Sequence, residues 1–421
     1  MGTKDAKRTG EKRRGRTGKR AANPRFVALM GSQGLALLGL EVLQFALPLH
    51  LLNLTGSGAL FGGVVAVGFV PYTLLAPVGG IIADRTRKRG VMVAVNAVLA
   101  ACMLMFWLVA ETPAVIGATI AVLMVAFAAQ ALLQPCVQSA IPYLVATDEL
   151  ERAIALMNQV GMLTGIGGPV LGGMVFGFFG VEPIAVVSAG LFALGAVVAW
   201  ALVRVPYTPP ARTAGALVTA RADMAEALGF LRGRPVLWRT IMAATLLNLF
   251  GSSFFNVCSP YIVTETLGLS NQLLGALQAA LAIGGLAGGG LIAAFPGRLS
   301  IRVVPALLVG IAGTLAAASA AVALPVAPLL AFAALVTIFA ATMALCTAMS
   351  IVATTYLQVE SPETLVGKVM ALTYMLANCA TPAGQLAYGI ALDAVPAWVI
   401  GAVAAAMIVL VAAWLRCGSQ A

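Results

Sequence analysis

Charged residues are scarce in this chain of 421 residues, because Asp, Glu, Lys and Arg together account for only 10% and hydrophobic residues for 61%. A soluble domain of this length needs far more polar surface to face water. A helix crosses a hydrocarbon core with about 20 apolar residues and satisfies its own backbone hydrogen bonds there. The shortage of charge therefore excludes a soluble globular protein and predicts an all-α membrane protein.

The chain also lacks the residue groupings that catalysis and metal binding require. It has one histidine, and its six cysteines stand singly, without the paired spacing of a disulfide framework or a zinc site. There are no paired catalytic acids, no Ser-His or Cys-His arrangement and no phosphate-binding loop. We therefore expect no enzyme, no metal and no cofactor, with an intramembrane enzyme or a non-transporting receptor as a remote alternative.

Basic residues are concentrated at the N-terminus. The net charge is +10, and ten of the 25 Lys and Arg residues precede the first apolar run. A tail of this kind holds the N-terminus in the cytoplasm and contacts the anionic inner leaflet of the bilayer. We therefore expect a lipid bilayer, and no nucleic acid, as its partner.

Twelve apolar runs follow, in two sets of six. Between the sets, Met224, Leu228 and Leu231 share one helical face, which predicts an amphipathic helix at the inner membrane surface. The predicted segments are a basic cytoplasmic tail at 1–25, a six-helix bundle at 26–203, a linker at 204–238, a second bundle at 239–416 and a cytoplasmic tail at 417–421.

The distribution of charge supports a count of twelve. With the N-terminus inside, all 25 Lys and Arg residues fall on the cytoplasmic side, whereas Glu111, Glu182, Glu265 and Asp393 fall in external loops. With an odd number of spans, the Lys and Arg residues would be divided between the two sides of the membrane. We therefore expect a protein of the bacterial inner membrane with both termini in the cytoplasm.

Sequence features that recur in both sets of spans indicate that the two halves are related. Pro48 and Gly56, at the outer end of the first span, recur as Pro260 and Gly268 after the seventh. Two further matches relate the fifth span to the eleventh and the second to the eighth. Repeated halves of this kind are typical of transporters.

The segment Gly80-Ile-Ile-Ala-Asp84-Arg85, followed by basic residues, resembles the loop 2-3 signature of the major facilitator superfamily. The resemblance implies the major facilitator fold, with twelve transmembrane helices in two pseudo-symmetric six-helix bundles. It also implies that this loop joins the halves in the outward-facing state. The matching residues are Gly80, Asp84, Arg85, Lys88 and Arg89, whereas Arg87 stands where glycine is usual.

The fifth span carries a second motif, in which glycines share a face and Pro169 removes a backbone hydrogen bond. The glycine face predicts tight helix packing. The motif resembles the antiporter motif of the superfamily's drug:proton exporters, which implies export rather than uptake. Its residues are Gly161, Gly165, Gly168, Pro169, Gly172 and Gly173.

Among exporters, the nearest resemblance is to the drug:proton antiporter-3 type, which includes macrolide, multidrug and siderophore exporters. The stretch Ile141-Pro142-Tyr143-Leu144-Val145 carries it, together with the Gly-Pro motif that follows. The fourth span lacks the membrane-embedded arginine of the larger drug-exporter groups. A coupling mechanism borrowed from those groups is therefore not implied.

Glu41 is the one acidic residue in the middle of a span. A charged side chain there costs roughly 2.5–3.5 kcal/mol on insertion scales, so we expect Glu41 to face a cavity or to be protonated. We predict that it carries the coupling proton or meets a cationic substrate. The alternative is a buried glutamate that is hydrogen-bonded to a neighbouring helix.

Other polar residues within the spans are candidates for the lining of a central cavity. Gln33 and Gln44 lie near Glu41 on a helical wheel. The candidates are Gln33, Gln44, Gln130, Gln134, Asn158, Asn248, Asn256, Tyr374, Asn378 and Gln385. A cavity with many amides and few charges suits bulky amphipathic substrates.

Together these features predict a monomeric secondary active exporter that uses protons to expel drug-like or amphipathic small molecules, or secondary metabolites, by alternating access. A lipid or lysolipid flippase and a metabolite uniporter of the same fold are the alternatives.

Overall fold

The computed structural model describes five stretches of the chain, namely residues 23–146, 149–205, 216–294, 300–362 and 365–418. The basic tail predicted at 1–25 lies outside these stretches up to residue 22. Residues 206–215 of the predicted linker and 419–421 of the C-terminal tail lie outside them too.

The described residues of the first half, 23–146 and 149–205, form six helices. Apolar runs that must satisfy their own backbone hydrogen bonds in lipid adopt this structure. In chain order they are α1 (Pro24–Thr55), α2 (Gly58–Arg85), α3 (Lys88–Val109), α4 (Val115–Leu144), α5 (Leu150–Phe179) and α6 (Val181–Leu202).

The second half repeats this number after a linker helix. The linker helix is α7 (Ala216–Arg232), and the others are α8 (Pro235–Thr266), α9 (Asn271–Ala294), α10 (Val304–Ala323), α11 (Pro328–Glu360), α12 (Val366–Ala394) and α13 (Ala397–Gly418).

Eleven helices of the described chain are long and apolar enough to cross a membrane. The twelfth is α12, which is less apolar because it carries Asn378 and Gln385. Its 29 residues nevertheless reach about 43 Å at ~1.5 Å per residue, more than the ~30 Å of a hydrocarbon core. The prediction of twelve transmembrane helices is confirmed.

Helix packing repeats between the two halves. In the first half α1 packs on α5 and α6, α2 on α4, and α3 on α4 and α6. The second half shows the equivalent pairs: α8 with α12 and α13, α9 with α11, and α10 with α11 and α13. Gly56 and Gly268 follow the first helix of each half with φ of 64° and 62°, a conformation that favours glycine. The two glycines recur in the sequence because the first helix of each half ends in the same way.

Basic residues mark one face of the molecule, which we call the basic face. Arg87, Arg204, Arg234 and Arg416 lie there, at the ends of α3, α6, α8 and α13. The odd-numbered helices α1, α3 and α5 begin at this face. We call the other membrane face the opposite face.

The apolar side of α7 packs on the second bundle. Ala227 and Leu231 are buried together with Leu237 of α8, and the Lys368 Nζ of α12 lies 2.6 Å from the Glu226 Oε2. We expected this side of the linker helix to lie on the membrane surface. In the described part of α7 it contacts protein instead, because the basic-face ends of α8 and α12 offer an apolar surface.

The helix α8 contains three π-helical turns, at Asn248–Ser252, Phe254–Cys258 and Ile262–Thr266. A π turn adds a residue to the helical turn, so it rotates the side chains that follow it, and such turns are frequent at functional sites. The periodicity of the sequence did not predict them. They matter below because they lie beside the centre of the molecule.

Candidate functional site

A cavity of about 650 Å³ lies in the first half, between α1, α4 and α5. It extends from Ile141 and Ile154, near the basic face, to Glu41, about halfway along α1. Met157 and several leucines form its apolar walls. Its polar lining consists of Gln33, Glu41, Gln130, Gln134, Gln138 and Asn158.

A smaller pocket of about 200 Å³ lies beyond Glu41, toward the opposite face. Both halves of the molecule line it. The first half contributes an aromatic wall of Phe45, Phe61, Phe69 and Phe127. The second half contributes the amides Asn256, Gln278 and Gln385.

Glu41 lines both spaces and is the one charged residue among the described residues that line them. Its side chain is half-buried, so it is partly removed from solvent. A carboxylate in such a position can bind a proton or an organic cation. The structure thus puts the one candidate for charge recognition at the junction of the two spaces.

The amides around Glu41 are only partly satisfied. The Gln44 Nε2 donates to the Gln130 Oε1 at 3.3 Å, and the Tyr72 hydroxyl donates to the Gln134 Oε1 at 3.4 Å. The Oε1 atoms of Gln33 and Gln385 are buried without a partner among the described residues. A buried acceptor without a partner costs about 1–3 kcal/mol, so a hydrogen-bond donor on a ligand would be favoured there.

Seven of the ten predicted cavity residues line one of the two spaces. They are Gln33, Gln44, Gln130, Gln134, Asn158, Asn256 and Gln385. Asn248 instead bonds within its own helix, to the Ala244 carbonyl oxygen at 3.0 Å and to the Ser252 hydroxyl at 3.2 Å. Tyr374 and Asn378 are exposed on α12 and line neither space.

The fifth-span motif divides into two parts. Gly168 lies directly against Glu41, and Gly172 lies against Val42 and Phe45 of α1. Gly173 meets Gly275 of α9. Gly161 and Gly165 have open space beside them, and Gly161 lines the larger cavity. The motif therefore packs tightly only from Gly168 onward, and Pro169 lines the smaller pocket.

The loop 2-3 motif lies at the basic face. Lys88 is buried, and its Nζ lies 5.1 Å from the centre of the Tyr143 ring at the end of α4. Arg89 is half-buried. The side chains of Asp84 and Arg85 and the surroundings of Gly80 lie outside the described part of the structure, so the role of the motif as a latch stays a prediction.

The repeat relates Glu41 to a serine in the second half. Ser253 occupies the equivalent place in α8, and Gly384 packs against it as Gly168 packs against Glu41. The Ser253 hydroxyl donates to the Thr381 carbonyl oxygen at 2.9 Å. The halves therefore share a backbone arrangement at this point but differ in charge.

Two helix pairs join the halves near the opposite face. In the pair α5–α9, the side-chain amide of Gln272 donates to the Gly177 carbonyl oxygen. In the pair α2–α12, Gly62 and Gly389 approach so closely that a Cβ on Gly389 would lie 3.0 Å from the Gly62 Cα. Glycine at these points allows the helices to touch backbone to backbone.

The α2–α12 contact includes a helix cap from the other half of the molecule. The carboxylate of Asp393 accepts from the backbone N–H of Gly58 at 2.6 Å, from that of Ala59 at 3.2 Å and from the Ser57 hydroxyl at 2.9 Å. These groups form the N-terminus of α2, where a negative charge is favoured. The halves are thus closed together at the opposite face, beyond the smaller pocket.

Several residues that line the two spaces or join the halves were not predicted from the sequence. The phenylalanines of the smaller pocket resemble those that face lipid, and the sequence contains no signal that separates them. Gln278 is a polar residue within a span and could have been found by the criterion that found the other amides. Asp393 was counted only as an external charge.

Among the described residues, no group of three or more His, Cys, Asp or Glu could hold a metal ion.

Comparison with known proteins supports a transporter. A profile of the Major Facilitator Superfamily matches residues 29–385. Macrolide efflux protein A of Streptococcus pyogenes is 23% identical over 271 residues, which cover 60% of this chain and 65% of that protein. The uncharacterized MFS-type transporter YfiS of Bacillus subtilis is 26% identical over 246 residues, which cover 58% of this chain and 56% of that protein. The matched regions thus span less than two thirds of these relatives.

Solved structures share the fold at low sequence identity. A bacterial homologue of the human lysosomal transporter Spinster, in an inward-facing and occupied conformation, has a TM-score of 0.71 at 15% identity, covering 94% of this chain and 96% of its own. A bacterial homologue of the iron transporter ferroportin, in an inward-facing state, has a TM-score of 0.70 at 17% identity, covering 93% and 98%. Because the twelve membrane-spanning helices of the described chain form two related bundles and the family profile covers most of its length, the chain belongs to the major facilitator superfamily of membrane transporters.

Proposed function

We propose that this transporter exports cationic, amphipathic small molecules in exchange for protons, and that substrate and proton compete for Glu41. The observation that carries the proposal is the position of Glu41, the one charged residue in the described lining of both spaces. The aromatic and amide groups around it suit an organic cation with a bulky apolar body.

The orientation in the membrane rests on charge. The basic face would be cytoplasmic under the positive-inside rule, which puts both termini in the cytoplasm of a bacterial inner membrane. The larger cavity would then face the cytoplasm while the opposite face is closed, which is an inward-facing arrangement. A substrate could reach Glu41 from the cytoplasm in this state.

Two sequence likenesses favour export over uptake. The residues Gly161 to Gly173 resemble the antiporter motif of drug:proton exporters. In addition, a relative with 23% identity is a macrolide efflux protein. Macrolides that carry an amine are cations at neutral pH, so their chemistry fits a cavity with a single carboxylate.

Competition for one carboxylate is sufficient for exchange. In the inward-facing state, ionised Glu41 binds the cation and the surrounding amides hydrogen-bond its polar groups. The two bundles then rock about the bound substrate, so that the opposite face opens and the basic face closes. A proton from outside displaces the cation from Glu41. Protonated Glu41 returns to the cytoplasmic side, where the proton leaves and the cycle closes.

The proposal is tested by replacing Glu41 in proteoliposomes that carry an imposed pH gradient. We expect the unaltered protein to move ethidium, a permanent cation, and erythromycin, an amine-bearing macrolide, faster with the gradient than without it. Glu41→Gln keeps the size of the side chain but can neither ionise nor carry a proton, so gradient-driven transport should fall at least about tenfold, the effect of losing about 1.4 kcal/mol. The matched control is Glu265→Gln, since Glu265 is exposed at the opposite face and lines neither space.

Three outcomes would contradict the proposal. Transport by Glu41→Gln with an unchanged dependence on pH would remove Glu41 from the coupling mechanism. Transport by the unaltered protein that ignores the gradient would indicate a uniporter. Movement of a fluorescent lysolipid between leaflets, without movement of ethidium or erythromycin, would indicate a flippase.

A further inference from the structure

A third space, a pocket of about 300 Å³, lies at the basic face of the second half, far from Glu41 in the fold. It lies between α8, α10 and α13 and is separate from both spaces described above. Its lining includes Arg239 of α8, Arg302 just before α10, and Arg416 near the end of α13. We propose that this pocket binds the phosphate headgroup of an anionic phospholipid.

Positive charge converges on this pocket from three separate elements. Among the described residues, no ion pair joins Arg239 or Arg302 to a carboxylate. The N-termini of α8 and α10 also begin here, at Pro235 and Val304, and helix N-termini carry partial positive charge. An anion bound in the pocket would therefore be attracted from several sides, and arginine suits the geometry of phosphate oxygens.

The rest of the pocket is apolar and suits the upper part of a lipid rather than a free ion. Val236, Val304, Pro305 and Leu415 line it, and Thr240 turns its hydroxyl inward to the Val236 carbonyl oxygen at 2.9 Å. A small inorganic anion would gain nothing from this apolar lining. The glycerol backbone and first acyl carbons of a lipid would cover this apolar lining and so remove it from water.

Residues beside the pocket place it at the edge of the bilayer. The guanidinium carbon of Arg239 lies 5.7 Å from the centre of the Trp414 ring, and Trp414 is 41% exposed. Tryptophan is enriched where headgroups meet the hydrocarbon core. Leu410, one turn deeper on α13, is 60% exposed, which suits contact with acyl chains. Basic pockets between helices on the cytoplasmic side of a membrane are a known form of headgroup site.

The test measures lipid binding by the purified full-length protein. In detergent micelles that contain phosphatidylcholine, phosphatidylglycerol is titrated in, and both the Tm and the lipids retained in native mass spectra are followed. We expect phosphatidylglycerol to be retained and to raise the Tm. The double variant Arg239→Gln/Arg302→Gln should need roughly 30-fold more of it, equivalent to about 2 kcal/mol for two arginines near an anionic surface.

The matched control is the double variant Arg152→Gln/Arg204→Gln. It removes the same charge from exposed positions on the same face, but in the first half. Equal loss of binding in both double variants would overturn the proposal in favour of general charge attraction. A Tm rise with inorganic phosphate that matches the one with phosphatidylglycerol would overturn it in favour of a free anion.

Absence of retained phosphatidylglycerol on the unaltered protein would overturn the proposal directly. If Arg239→Gln prevents folding, the exposed Arg302→Gln alone should still weaken retention by about fivefold, since each arginine contributes about 1 kcal/mol. Because the readout is lipid binding, it does not depend on whether Glu41 couples transport to protons.

Discussion

At the scale of single residues, the site depends on how closely α5 approaches α1 beside Glu41. A Cβ on Gly168 would overlap the Cβ of Glu41, and it would also lie 3.1 Å from the Glu41 carbonyl carbon. Backbone cannot move aside as the end of a flexible side chain can. The glycine therefore holds Glu41 at its place between the two spaces.

Gly168→Ala should consequently separate the two helices and displace Glu41. Overpacking of this kind costs typically 1–3 kcal/mol, so we expect a lower Tm and a clear loss of transport. The matched control is Gly165→Ala, one helical turn earlier in the same motif, because no heavy atom of the described residues, apart from its chain neighbours and the backbone of α5, lies within 4 Å of a Cβ there. Thermal unfolding and ethidium transport are measured for both. Equal behaviour of the two variants would show that the contact with Glu41 is unimportant.

Glu41 itself was predictable from the sequence because a carboxylate in the middle of a span is energetically costly and therefore conspicuous. The place of Phe69 and Phe127 in the smaller pocket was not predictable, since an apolar side chain is equally favourable against lipid or in a pocket. Their rings lie 4.7 Å apart beside the pocket only because α2 and α4 pack together. Polar residues within spans thus reveal a site, whereas its apolar walls remain hidden.

At the scale of helices, the N-terminus of α2 is held by a residue from the other bundle. Asp393 accepts three hydrogen bonds from Ser57, Gly58 and Ala59. These bonds exist only while the halves are together at the opposite face. The cap therefore stabilises the closed form of that face specifically.

Asp393→Ala should shift the protein toward the form that is open at the opposite face. Loss of a helix cap typically costs ~1 kcal/mol, which is about a fivefold change in population. Spin labels at Thr112 and Val326, in a cysteine-free background, would report a larger fraction of long distances between the opposite-face loops. Glu265→Ala serves as the control for charge, and an unchanged distance distribution in Asp393→Ala would contradict the role of the cap.

The π turns of α8 illustrate what helical periodicity cannot predict. Asn256 is exposed between buried neighbours in the second of these turns, and it lines the smaller pocket. Asn248, in the first turn, bonds within its own helix instead. A helical wheel assumes ~100° per residue, so it no longer gives the correct direction of the side chains that follow a π turn, which contains one more residue.

At the scale of the whole molecule, transport requires the two bundles to separate at one face and meet at the other. At the opposite face, α2 meets α12 through backbone atoms, and a Cβ on Gly62 would overlap the Gln385 carbonyl oxygen. At the neighbouring Gly63, a Cβ would make only ordinary contact, at 3.8 Å from the Leu386 side chain. The two glycines thus offer a direct comparison.

Gly62→Ala should disfavour closure of the opposite face, whereas Gly63→Ala should leave it unchanged. A penalty of 1–3 kcal/mol for overpacking corresponds to a shift in population of roughly 5- to 150-fold. The same pair of spin labels would measure this shift, and ethidium export should slow because the inward-facing state becomes less accessible. If Gly62→Ala closes as readily as Gly63→Ala, the contact does not control access.

The sequence by itself determined the number of helices, their order and the relation between the halves. These properties follow from hydropathy and charge along the chain, which depend little on how the helices pack. It also singled out Glu41 and the Gly161–Gly173 segment. The tertiary structure alone decided which amides share a space with Glu41, that Asp393 caps a helix 335 positions away, and which face is closed. The physical reason is that hydropathy leaves the rotation of each helix about its axis, and its partners, unspecified until the side chains pack.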